Sequence, residues 1–345
     1  MPSAMRDAPK RPIERLLTGL DLTIEESEQL FTALVEGALT EIQTTALLCT
    51  LRTKGETPPE IAGAVRAFHT AANPFPRPCG VLADTCGTGG AGRNTVNIST
   101  AAAFVVAAMG IPVAKHGNRS VSSRCGSADL LEAVGGRIEM SSDLSRQTLD
   151  TTGLCYLHAP QYHPGIRHAM PVRRALRTRT IFNLLGPLLN PARPSVQLVG
   201  AYDRSLVRPL AETLKILGCA SALVVHGDGL DEIALHGPTT AVELRNGRIT
   251  ELVLTPEDCG VSRFPIEALA GGEPEENARW LNELLGGGAT EAHQSAVAVN
   301  AGAVAWLAGH SACISEGTEE ARDVLRSGSA LQRLEMYVEA THDAR

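Results

Sequence analysis

The sequence predicts an α/β fold: a small N-terminal helical domain beside a larger α/β domain with a mainly parallel central sheet, and a cleft between them. Three observations carry this. The first seventy or so residues hold helix-start signals and apolar residues at helical spacing. A proline-rich NPFPRP segment at 73–78 then reads as a hinge. Beyond it, short apolar runs alternate with helix-length segments, as in a parallel sheet covered by helices. The expected bounds are a helical domain over 1–75, joined by helices within about 164–185, and an α/β domain over 76–345.

Thr23 followed by Glu26, and Thr57 followed by Glu60, fit the capping box that opens a helix. Leu30, Leu34 and Ala38, then Leu47, Leu48 and Leu51, recur at helical spacing. Strands are expected in the apolar runs 81–83, 111–114, 197–201 and 222–226, and a basic helix over 164–176. There is no internal repeat.

Composition narrows the function. The 345 residues are 43% apolar and 20% charged, which is globular, and only 3% aromatic, which disfavours a base-stacking surface. A net charge of −7 argues against a general nucleic-acid binder. Eight cysteines without a CxxC pair suit neither a zinc site nor a disulfide framework. The N-terminal MPSAMRDAPKRP has no apolar signal region, and the longest apolar stretch, 101–113, is too short to span a bilayer. A cytoplasmic protein is the expectation, without membrane or nucleic-acid partners.

The segment Gly87-Thr88-Gly89-Gly90-Ala91-Gly92 matches G-x-G-x-x-G literally. A dinucleotide site would want an acidic residue about 20 positions on, yet no Asp or Glu occurs between Asp84 and Asp129. Anion binding fits better. Glycines let backbone N–H groups approach a phosphate, and Ser99 and Thr100 lie at the start of an alanine-rich helix whose N-terminus favours negative charge. The same acid-free stretch holds Arg93, Lys115, Arg119 and Arg124. A second, 151–202, holds Arg167, Arg173, Arg174, Arg177, Arg179 and Arg193. Such asymmetry suits a highly anionic small ligand. Lys115-His116-Gly117-Asn118-Arg119-Ser120 follows an apolar run, so it belongs at a strand's C-terminal end, where α/β sheets bind ligands. Asp231-Glu232, after another strand-like run, offers oxygen ligands for magnesium, which bridges carboxylates to substrate phosphates. His163 lies near the second basic stretch, whereas His69, His293 and His310 read as ordinary. No G-x-S-x-G or H-E-x-x-H motif is present.

Together these segments resemble the anthranilate phosphoribosyltransferase family. The matching stretches are DTCGTGG at 84–90, TVNIST at 95–100, VAKHGNRSVSS at 113–123, RTIFNLLGPL at 179–188 and GLDEI at 229–233, with KGET at 54–57 and EIAG at 60–63. The resemblance implies transfer of the phosphoribosyl group of phosphoribosyl pyrophosphate (PRPP) to the amino nitrogen of anthranilate, with magnesium (Mg2+). It also implies a fold shared with pyrimidine nucleoside phosphorylases and a homodimer formed through the helical domain. By position it implies PRPP contacts at Gly87, Gly90, Ala91, Thr95, Asn97, Ile98, Ser99, Thr100, Lys115, His116, Gly117, Asn118, Arg119, Ser120, Val121, Ser122, Ser123 and Ser127. Gly87, Asn118 and Arg173 are implied to hold anthranilate, with His116 and His163 lining its path. Lys115 and Arg173 carry the catalytic assignments, and Ser99, Asp231 and Glu232 those of the metal. The chain departs from the family at Ala91, where the loop usually continues with aspartate.

Overall fold

Three threonines fix where the N-terminal helices begin. In the computed structural model, which describes residues 10–90, 92–120 and 124–343, α1 (Lys10–Leu17) is followed by α2 (Ile24–Val35), α3 (Glu41–Lys54) and α4 (Pro58–Thr70). Thr23 and Glu26 form the expected reciprocal cap of α2, with the Thr23 N–H donating to Glu26 Oε2 at 2.9 Å. Thr40 and Gln43 form a further box at α3. At α4, Glu60 Oε2 accepts from Thr57 N at 2.8 Å and from the Lys54 ammonium at 3.0 Å, while Oε1 accepts from Leu22 N at 3.0 Å. This fully buried carboxylate joins three chain segments, and its charge is tolerated because every contact is a donor.

A seven-stranded sheet follows: β1 (Ala83–Asp84), β2 (Val113–Gly117), β3 (Leu154–His158), β4 (Val196–Gly200), β5 (Ser221–His226), β6 (Thr239–Arg245) and β7 (Arg248–Leu254), in the order β3-β2-β1-β4-β5-β6-β7. The first five are parallel, and β6 and β7 add antiparallel. Helices α5 (Ile98–Ala108), α6 (Ser127–Ala133) and α7 (Ser142–Thr152) lie between β1 and β3 in sequence. Next come α8 (Ala159–Tyr162), α9 (Met170–Leu176) and α10 (Phe182–Leu185), then α11 (Val207–Ile216) between β4 and β5. Four more close the chain: α12 (Pro274–Leu285), α13 (Glu291–Leu307), α14 (Ile314–Ser327) and α15 (Ser329–His342).

The strands read as unbroken apolar runs because both faces of the sheet are covered. Leu198, Leu223 and Val225 join the core beneath α5 and α13, whereas Val199, Ala222 and Val224 join the opposite core with α11 and the N-terminal helices. The return segment packs back on those helices: the turn Pro164–His168 on α2, α9 on α3, and α10 on α4.

The structure differs from the sequence reading in detail. The strand expected at 111–114 runs from Val113 to Gly117, so Lys115 and His116 are strand residues. The helix expected at 164–176 is a 3-10 turn followed by α9. The cap of α5 is Asn97, which puts Ser99 and Thr100 inside its first turn. Strand β3 and the β6–β7 hairpin were not anticipated. The hairpin had a signal, since Asn246-Gly247 takes the paired positive φ values (52° and 72°) of a tight turn.

Gly63 lets α4 cross α2 at close range. A Cβ there would meet Ile24's carbonyl and stand 2.6 Å from Ser27 Cβ. Gly63→Ala should therefore cost about 1–3 kcal/mol, the usual range for overpacking, read as a lower urea midpoint. An unchanged midpoint would show that the two helices part freely.

Candidate active site

The strand order reverses between β1 and β4, and ligand crevices in open α/β sheets form at such a switch point, beyond the C-terminal strand ends. Four segments converge there. The loop after β1 crosses the end of β4, where Thr88 N donates to Gly200 O at 2.8 Å. A Cβ on Gly87 would lie 3.1 Å from Gly200 O and 3.3 Å from Asp231 Oδ2. On Gly200 it would strike the Asp231 backbone. Only glycine permits this stacking.

Lys115 ends inside this crevice, 3% exposed. Its ammonium donates to Thr85 Oγ1 at 3.1 Å and to Ser99 Oγ at 3.3 Å, both neutral oxygens. Glu232 lies beside the N–H and hydroxyl of Ser99 at the N-terminus of α5, and Asp231 lies beside the Gly89 N–H. Loss of water raises both carboxyls above their usual range, and Asp231's charge raises Glu232 further. Two such carboxyls and a hydroxyl are oxygen donors that a hard divalent cation would satisfy. Among the described residues no group of three or more His, Cys, Asp or Glu forms a metal cage. The oxygen donors of Asp231, Glu232 and Ser99 fit magnesium, which commonly completes its shell with water and phosphate oxygens.

A second cluster of side chains lies toward the helices. Three histidines line up, with ring centroids 5.7 Å apart for His116 and His163 and 6.4 Å for His163 and His69. Phe68 and Phe182 flank them, and the Arg173 guanidinium lies 4.7 Å above the Phe182 ring. One strap of backbone fixes all three rings. Gly186 O takes His116 Nδ1 at 2.9 Å, Leu188 O takes His69 Nε2 at 3.1 Å and Leu189 O takes His163 Nε2 at 2.6 Å. Carbonyls only accept, so each neutral ring must carry its proton on that nitrogen. His116 Nε2 is left as a buried acceptor without a protein partner. Burial, then neighbouring positive charge, pushes His69 down to about 4 and His116 down to about 3. Arg173 is half-buried with Met170 Sδ at 3.8 Å and no ion pair among the described residues.

The other sequence-identified residues divide. Thr95 bridges to Ala270, and the Asn97 amide donates to Cys125 O and accepts from Asn277, so both shape the loop behind α5. Ile98 and Thr100 are buried and offer only backbone. Gly90 has a φ of 79° on the phosphate loop. Gly117 abuts Ser127, whose hydroxyl pairs with Tyr156 at 3.1 Å. Asn118 Oδ1 accepts from Arg119 N, and Ser120 N donates to Asp129. Arg119 stands apart, exposed and paired with Asp129 and Glu132 of α6. Its stretch is acid-free in sequence but not in space. Ala91, Val121, Ser122 and Ser123 lie outside the described residues.

Residues 10–72 match the "Glycosyl transferase family, helical bundle domain" and 80–331 the "Glycosyl transferase family, a/b domain". An anthranilate phosphoribosyltransferase of Sorangium cellulosum is 56% identical over 331 residues, covering 96% of this chain and 95% of that protein. The chain belongs to the anthranilate phosphoribosyltransferase family. A crystal structure of the Thermus thermophilus anthranilate phosphoribosyltransferase shares its fold at a TM-score of 0.91 and 43% identity, over 96% of this chain and 99% of that one. The Saccharomyces cerevisiae anthranilate phosphoribosyltransferase, in complex with PRPP and Mg, gives 0.88 at 26% identity over 99% and 98%. No helix among the described residues is long and apolar enough to cross a membrane.

Sequence reasoning missed two neighbours of the site. His69 read as ordinary because nothing local ties α4 to the strap. Arg179 appeared only as one basic residue among several. Its guanidinium donates to Gly90 O and stacks 4.0 Å from the Tyr202 ring centroid, and its place in a run matching the family was the available signal.

The depressed histidines predict how stability varies with pH. Below about 6.5 the unfolded chain takes up protons that the folded His69 and His116 refuse, so stability falls as pH drops from about 6.5 toward 4 and is flat above in this respect. His116→Gln removes one contributor. Its melting temperature should fall less than the wild type's between about pH 7 and about pH 5. Equal losses would mean that His116 titrates normally in the fold.

Proposed function

We propose that this chain transfers the phosphoribosyl group of PRPP to the amino nitrogen of anthranilate, giving N-(5-phosphoribosyl)anthranilate and pyrophosphate, in tryptophan biosynthesis. One observation carries the reading. A crevice with a glycine loop, Lys115 and paired carboxylates adjoins a pocket of neutral rings that holds Arg173 without an ion pair among the described residues. The first suits a diphosphate with its cation, and the second an aromatic carboxylate.

In the reaction the C1–oxygen bond to pyrophosphate breaks and a carbon–nitrogen bond forms at the same carbon. Positive charge develops on the sugar and negative charge on the leaving group, so the requirements are orientation and electrostatic stabilisation. Lys115, the loop amides at Gly87 and Gly90, and the segment from Asn97 to Thr100 face the diphosphate side. Gly117, Asn118 and Ser120, with Thr95 and Ser127, surround the rest of PRPP. Arg173 binds the anthranilate carboxylate with Gly87 and Asn118 alongside, and a guanidinium is suited to two parallel hydrogen bonds. His163 walls the pocket. His116 Nε2 accepts one amine N–H, which aims the nitrogen lone pair, and an aromatic amine is neutral enough to attack without a strong base. Asp231, Glu232 and Ser99 would hold magnesium, which when bound neutralises the diphosphate and the charge growing on pyrophosphate. With Ala91 on the loop, these three residues carry the metal.

The domain bounds we assign are 1–75 with 164–185 for the helical part and 76–345 for the α/β part. Leu17, Leu20 and Ile42, which are 63%, 54% and 82% exposed on the helical side, suit a homodimer formed through it. The enzyme acts in the cytoplasm on small-molecule substrates.

A fluorescence assay of anthranilate consumption with PRPP and magnesium tests the reaction, and no consumption at any magnesium concentration would refute it. In that assay Arg173→Ala should lose about 2–5 kcal/mol of kcat/KM for anthranilate, as an unpaired anion would, with PRPP binding little changed. Unaltered kinetics would remove Arg173 from the pocket. Asp231→Asn combined with Glu232→Gln should abolish magnesium-dependent turnover while the circular dichroism spectrum stays native. Persistence of the wild-type magnesium dependence would place the metal elsewhere.

A further inference from the structure

Asp84 ends β1 directly beneath the crevice and is wholly buried. A carboxylate under a diphosphate site is electrostatically awkward, so its hydrogen bonds need a reason. Oδ1 accepts from Cys86 N at 3.1 Å, where the glycine loop begins, and from His116 N at 3.3 Å, where the other substrate turn begins. Oδ2 accepts from the Asn190 amide at 2.8 Å. Asn190 sits at the end of the strap that orients the three histidines, and its amide also donates to Ala114 O at 2.7 Å. Its Oδ1 accepts from Ala192 N at 2.9 Å, which leaves the amide nitrogen facing Asp84. One side-chain pair thus touches the phosphate loop, the strand carrying Lys115 and His116, and the strap behind the aromatic pocket. No other side chain described above joins all three.

We propose that Asp84 and Asn190 are positioning residues for the transfer reaction: a buried pair that fixes the phosphate crevice and the aromatic pocket at one relative placement. The inference rests on the reaction proposed above. Neither residue reaches a substrate. They act through backbone amides, and what they control is the distance between the attacking nitrogen and the sugar carbon. Loss of that control lowers turnover more than the affinity of either half-site.

Asp84→Asn tests this, because its amide nitrogen must then face a donor, either the Asn190 amide or the Cys86 and His116 N–H groups. Its kcat should fall about 100-fold, the loss that a misplacement of about 1 Å causes. KM for PRPP and for anthranilate, and PRPP binding measured by calorimetry with magnesium, should each stay within about threefold, since a positioning defect acts on the chemical step. Asn190→Ala, which removes the donor to Asp84 Oδ2 and to Ala114 O, should lower kcat in the same way. Wild-type kinetics in Asp84→Asn or in Asn190→Ala would overturn the proposal. So would losses in kcat that only follow losses in melting temperature. An inactive wild type would instead sink the reaction itself, which is a different result from an active wild type matched by its Asp84→Asn variant.

Discussion

Three backbones meet beyond the C-terminal ends of the central strands, packed so closely that a Cβ would be tight at Gly87 and would collide at Gly200. Gly87 lies over the Gly200 carbonyl, and Gly200 lies against the Asp231 backbone. This stacking brings the loop after β1, the end of β4 and the turn after β5 into one crevice. Asp231 then falls within reach of the loop amides, Glu232 meets Ser99 at the head of α5, and Lys115 closes the group from β2. A Cβ at Gly200 would push the acidic turn away from the loop and undo the rest. The assembled group holds one cation and two carboxyls whose burial favours the neutral form, so its net charge is small. A divalent cation would meet oxygen donors there and, by binding, would favour the ionised carboxyls.

The legible parts of the sequence were those whose cause is local. The capping pairs at Thr23 and Thr57 depend on residues three apart, and the structure contains both. The glycine loop and Asp231-Glu232 each follow a strand that an apolar run marked. Strand β3 was hidden because LCYLH holds a cysteine, a tyrosine and a histidine and looks too polar for a buried strand, although all five residues are buried. Arg119 was counted among free basic residues since its partners, Asp129 and Glu132, come just after the acid-free stretch ends. The histidine cluster was illegible as a cluster. His69, His116 and His163 come from distant segments, and only the strap at 186–189 brings them together.

That strap explains how a pocket can hold three histidines and remain uncharged. Each ring gives its proton to a backbone carbonyl, and burial beside other cationic or neutral rings disfavours a second proton. Arg173 then supplies the permanent positive charge on that side. A carboxylate entering there gains a partner for a guanidinium that burial has partly stripped of water, which is where a charge-assisted pair is strongest.

The N-terminal helices do not keep their apolar residues to themselves. Leu30, Phe31, Leu47 and Phe68 belong to the same continuous core as Phe182, Leu210, Val199 and Val224, which come from the return segment, α11 and the sheet. The two segments that match separate family descriptions are therefore not two folding units joined by a tether. Melting the helical bundle alone would strip one face of the sheet bare, at the cost of all that apolar surface meeting water. Opening of that kind is therefore costly, and the bundle and the sheet stabilise one another through this shared core.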